Sequence, residues 1–118
     1  MNHGLSAQTV ERLLSVLANY PQIEKAVMYG SRAKGNFRNG SDIDLTLFGD
    51  GIDFGLLTRL DNELDDLLLP YKFDISHFSS LTHPDLIDHI RRVGVVFYAK
   101  KPNAPPASTN GSSQRWRR

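Results

Sequence analysis

Apolar positions recur along this chain in two different periods. Val10, Leu13, Leu14 and Leu17 are spaced three and four apart, which lines one face of a helix, and Ser6 stands where its N-cap belongs. Pro21 follows that helix. Ala26 to Tyr29 is a short apolar run closed by Gly30 and predicts a buried strand. A polar loop bearing glycine, asparagine and arginine then leads to Ser41, with Asn39-Gly40 reading as a hairpin turn. From Asp42 to Phe48 the alternation is strict: Ile43, Leu45 and Leu47 fall on one face, Asp42, Asp44 and Thr46 on the other. Helical spacing returns with Leu56, Leu57, Leu60, Leu64, Leu67 and Leu68, and Pro70 stops it. Lys72 to Ser76 predicts a short strand with Phe73 and Ile75 on one face and Asp74 on the other. Thr82 and Pro84 open a third helix through Leu86, Ile87, Ile90 and Val93, and Val95 to Tyr98 forms a last edge strand. The order α-β-β-α-β-α-β predicts an α+β, two-layer fold: a mixed β-sheet covered on one side by helices.

The periodic pattern stops near residue 100, and composition changes there. Residues 101–118 hold Pro102, Pro105, Pro106 and several small polar residues, with four basic residues and no acid. They read as a disordered basic tail on a domain spanning 1–100. That domain carries ten basic and thirteen acidic residues, so it is mildly acidic although the whole chain has a formal charge of +1. A nucleic-acid-binding body is therefore not expected. The absence of cysteine excludes disulfides, thiolate metal sites and cysteine nucleophiles. The longest apolar stretch, Val93 to Ala99, has seven residues, against about 20 for a membrane-spanning helix. No basic segment followed by an apolar one opens the chain, and a cytoplasmic protein is expected.

Chemistry concentrates in Gly30-Ser31-Arg32-Ala33-Lys34-Gly35 and Ser41-Asp42-Ile43-Asp44-Leu45. Two aspartates at i and i+2 of one strand share a face, roughly 6–7 Å apart. Like charges so placed repel unless one takes a proton or both bind a cation. Mg²⁺ suits oxygen ligands of this kind, taking one or two carboxylates plus substrate phosphates. Asp74 has the same outward parity on another strand and joins the pair if the strands are neighbours. Three acids holding two metal ions would suit in-line phosphoryl or nucleotidyl transfer. The Gly30-Ser31 turn supplies the complement, since glycine lets backbone N–H groups approach a polyphosphate and the serine hydroxyl adds a donor. Arg32, Lys34 and Arg38 bring positive charge. Neither a P-loop string nor a Rossmann glycine fingerprint is present. His3, His77, His83 and His89 lack metal-ligand spacing, and His89 reads as a packing or surface residue.

Gly30-Ser31, ten residues and then Asp42-Ile43-Asp44-Leu45, preceded by Val27-Met28-Tyr29 and followed later by Lys72-Phe73-Asp74-Ile75, resembles the signature of the minimal nucleotidyltransferases of the DNA polymerase β-like superfamily. The resemblance covers nearly all of residues 10–99. It implies an enzyme that takes a nucleoside triphosphate, ATP in the first instance, with Mg²⁺ as cofactor, and moves a nucleoside monophosphate to an acceptor hydroxyl. It implies that Asp42, Asp44 and Asp74 bind metal and catalyse, Asp74 helping to activate the acceptor, while Gly30, Ser31, Arg32 and Lys34 hold the nucleotide. Family members of this size pair with separate all-helical proteins of the HEPN kind, which suggests an antitoxin that modifies such a partner. A two-chain enzyme acting on a small molecule, or a non-catalytic interaction module of the same fold, are the alternatives.

Overall fold

Alternation within the strands decides how the helices are distributed. We describe residues 4–35 and 42–100 of a computed structural model. Helix α1 (Ala7–Ala18) starts where Ser6 Oγ accepts the Thr9 N–H at 3.1 Å, as its cap position predicts. Strand β1 (Lys25–Tyr29) leads into a four-residue helix, α2 (Ser31–Lys34), in place of the expected loop. The rest of that loop, including the Asn39-Gly40 turn, lies outside the described residues. Strand β2 (Ile43–Phe48) is followed by α3 (Phe54–Asp65), capped by Asp53, whose Oδ1 accepts the Leu56 N–H at 2.8 Å. Strand β3 (Phe73–His77), a 3-10 turn (Phe78–Ser80), α4 (Pro84–Val93) and β4 (Val95–Ala99) complete the order. His83, rather than Thr82, caps α4.

The strands form one mixed sheet in the order β3-β2-β1-β4. β1 pairs antiparallel with both β2 and β4, and β2 pairs parallel with β3 across the α3 crossover. On one face Ala26, Met28, Ile43, Leu45 and Leu47 are buried against Leu13, Val16 and Leu17 of α1 and Leu56, Leu60 and Leu64 of α3. The Arg12 guanidinium donates to the Leu67 carbonyl at 2.9 Å and ties α1 to the chain beyond α3. The α+β mixed sheet is the expected one, but the opposite face is not left bare. Val27 and Tyr29 project there and bury Ile90, with Leu86 and Val93 of α4 packed around them. A strand with apolar residues at both parities needs cover on both sides, and β1 is such a strand. Among the described residues no helix is long and apolar enough to cross a membrane. The basic segment 101–118 lies outside the described residues.

Candidate active site

Register brings the acids together. Tyr29 pairs with Asp44, and Asp44 with Asp74, so the three residues form a row across β1, β2 and β3 on the face away from α1 and α3. Asp42 lies exposed, just ahead of β2 and two residues from Asp44 on the same face. Asp44 is half-buried, and its carboxyl is raised above the usual aspartate range by burial, then by the charges of Asp74 and Asp42, with His89 acting in the opposite sense. Tyr29 is likewise pushed up, first by burial and then by Asp74, while a hydrogen bond with Ser76 acts against this. Such crowding of negative charge is relieved by a cation or a proton.

Gly30 joins β1 to α2 with φ 81° and ψ −158°, a conformation open essentially to glycine alone. A Cβ built there would lie 2.3 Å from Asp44 Oδ2. The glycine is thus required both by its backbone and by the carboxylate pressed against it. Ser31 is half-buried at the start of α2, next to that contact, and Lys34 closes the helix.

Arg32 departs from expectation. Sequence reasoning set it beside the triphosphate, whereas it is only 2% exposed, with Cζ 4.7 Å from the centre of the Tyr71 ring. A helix turns successive side chains by about 100°, so Ser31 and Arg32 cannot both face the same way, and Arg32 faces inward. Its guanidinium fastens α2 to the segment before β3.

Three further residues surround the acids. The Ser76 hydroxyl donates to Thr46 Oγ1 at 2.9 Å, and Thr46 is fully buried. Thr46 and Ser76 share the parity of Asp44 and Asp74, a signal legible in the alternation of the two strands. His89 of α4 meets the edge of Tyr29, with ring centroids 6.3 Å apart at 82°. No spacing in the sequence marks His89, because the contact depends on α4 folding over the second face. A groove of about 410 Å³ opens beside Asp74 between α3 and β3, walled by Phe54, Leu57, Phe73 and Ile75.

Among the described residues, no group of three or more acidic or histidine side chains is placed to cage a metal ion. Mg²⁺ held by one or two carboxylates and completed by substrate phosphates needs no such cage, and the all-oxygen donors of Asp42, Asp44 and Asp74 fit it. The polymerase β nucleotidyltransferase family model matches residues 11–103. The chain belongs to that family. No protein of curated function matches it. Among solved structures it is similar to a chain of a toxin–antitoxin complex with AMP-PNP, at TM-score 0.65 and 18% identity over 78% of this chain and 74% of that one. It is also similar to a chain of the MntA-HepT toxin–antitoxin, at 0.61 and 16% over 80% and 74%. A third likeness is to a chain from a complex of a tri-AMPylated Shewanella oneidensis HEPN toxin with its MNT antitoxin, at 0.58 and 17% over 77% and 70%. These identities carry the fold. The nucleotidyltransferase fold implied by the family resemblance is thereby established.

Proposed function

We propose that this nucleotidyltransferase moves AMP from ATP to a hydroxyl of an all-helical, HEPN-type partner protein, with pyrophosphate as the leaving group, acting as its antitoxin. The observation that carries the reading is the Asp44–Asp74 pair in register on one sheet face, with Asp42 beside it and the Gly30 backbone against the Asp44 carboxylate. Carboxylates gathered next to a glycine turn suit a metal-bound triphosphate, and similar folds include chains of complexes with AMP-PNP and with an AMPylated HEPN toxin.

In this reading Asp42, Asp44 and Asp74 hold Mg²⁺. When bound, the metal neutralises phosphate charge and polarises the phosphorus under attack. The chain's own groups do the rest. Gly30 and Ser31 offer a close backbone approach and a hydroxyl donor to the phosphates, and Lys34 adds charge. Arg32 fixes α2 from beneath and does not touch the nucleotide. Asp74, the acid on the edge strand beside the 410 Å³ groove, accepts the proton of the acceptor hydroxyl. Four α-helices and four strands make up the described residues, and in this reading the acceptor hydroxyl is presented by the partner chain and held there in line.

The test is to co-express the chain with the product of the adjacent reading frame, purify through a tag on that product and add Mg²⁺ and ATP. A mass gain of one AMP on the product, lost in Asp42→Asn/Asp44→Asn, is expected. Retention of the pair without any gain would refute protein modification and favour a two-chain enzyme with a small-molecule acceptor.

A further inference from the structure

The sheet face that carries the acids does not end with them. Two to four residues back along β1 from Tyr29, roughly 7–13 Å along the strand, lies a second groove of about 350 Å³ that reaches from Val27 to Lys25. Its floor is Val27 with the stacked rings of Phe48 and Phe78, whose centroids are 4.5 Å apart. Val96, 55% exposed on edge strand β4, forms one lip. Two cations stand over this apolar floor: Lys25 Nζ is 4.4 Å from the Phe48 centroid, and Arg91 Cζ is 6.0 Å from that of Phe78. Among the described residues neither has a carboxylate within ion-pair distance, although Arg92 beside them pairs with Asp88. The groove is therefore apolar at its base and positive at its rim, on a domain with an excess of acid.

We propose that this groove docks an acidic, apolar-faced segment of the acceptor protein, an inference that rests on the protein-acceptor reading above. Aliphatic or aromatic side chains of that segment enter over Phe48 and Phe78, while its carboxylates meet Lys25 and Arg91. Charge selects this occupant over the chain's own residues 101–118, which contain four basic residues and no acid and are repelled by the rim. Two cations on an otherwise acidic body are also a poor track for a polyanionic backbone. The position matters for the reaction. A segment held here shares the carboxylate face without covering Asp44 or Asp74, so the partner is anchored at one end of the face and presents its hydroxyl at the other.

Arg91→Glu and Val96→Glu alter exposed positions outside the proposed machinery. Titrate each full-length variant into the helical product of the adjacent reading frame, and measure in parallel the rise in melting temperature caused by Mg²⁺ and ATP. Both variants are expected to bind the product at least tenfold more weakly than wild type, with the nucleotide-dependent rise unchanged. Wild-type affinity in either variant overturns the groove while leaving the transferase reading intact. Failure of the wild-type chain itself to bind the product, with the nucleotide-dependent rise intact, overturns the protein-acceptor reading and the groove together. Two other results replace the occupant and so overturn the proposal: a single-stranded RNA probe bound by wild type and lost in Arg91→Glu, or a wild-type self-association broken by Val96→Glu.

Discussion

Replacing Gly30 with alanine perturbs the site by one methyl group, and the structure sets the size of the effect. At φ 81° and ψ −158° a side chain is strained by about 1–3 kcal/mol. The new Cβ would also sit 2.3 Å from Asp44 Oδ2, so the carboxylate or the turn must retreat by at least 0.7 Å to reach the 3.0 Å below which such contacts essentially never occur. The strain alone predicts a melting temperature lowered by at least about 4 °C, taking roughly 4–8 °C per kcal/mol for a domain of this size. A displacement approaching 1 Å at a reacting centre predicts a loss of about 100-fold in transfer rate. Urea unfolding of Gly30→Ala, Asp44→Ala and the double variant separates the two contributions. The strain persists without the carboxylate, but the collision does not, so the double variant should be more stable than the sum of the singles by about 0.5–3 kcal/mol. Additive costs would refute the contact, and an undiminished melting temperature in Gly30→Ala would refute the backbone conformation itself.

Asp44→Asn should raise the metal-free melting temperature at neutral pH. Its folded-state pKa lies above 3.8, so the native state holds that proton more tightly than the unfolded chain does, and this contribution is lost as pH rises through the raised value. The variant should flatten that fall, and an identical pH profile of melting temperature would contradict it. Ser76→Ala leaves the buried Thr46 hydroxyl without its donor, removes the bond to Tyr29 and should cost about 1–3 kcal/mol in urea unfolding, only the Thr46 share of it recovered in Ser76→Ala/Thr46→Val. Tyr20, hydrogen-bonded to Glu63 and pushed up to about 12 by burial and then by that bond, should make the protein lose stability as pH rises from 10 to 12. Tyr20→Phe should remove that loss, measured by alkaline melting curves.

Local periodicity made most of this site readable in advance. The two-residue alternation of β2 put Asp42 and Asp44 on the polar face, and that of β3 did the same for Asp74, because side-chain direction in a strand is a local property. Which strands are neighbours is not local. The Asp44–Asp74 pairing was conditional on an arrangement that only the assembled sheet supplies. The burial of Arg32 was not legible for a related reason: a four-residue helix is too short to show a period, so a charged residue in a glycine-bearing stretch reads as solvent-facing. His89 and the cover that α4 gives to the second face depend on packing between segments about 60 residues apart, which no spacing within either segment encodes.

The parallel pairing of β2 with β3 bears on the order in which the enzyme comes into being. Gly30 directly follows β1 and Asp44 lies on β2, strands adjacent in the chain, and closing the connection between them costs little entropy. Asp74 arrives 30 residues after Asp44, across a helical crossover, on a strand that stays at the border of the sheet. Contacts of that range form late in folding, and border strands are among the first to open in the native state. A chain that has collapsed but not yet docked β3 would hold two of its acids and lack the third. If the three acids act as proposed, nucleotidyl transfer is gated by completion of the fold, and a nascent or partly opened molecule is silent even when its glycine turn is already formed.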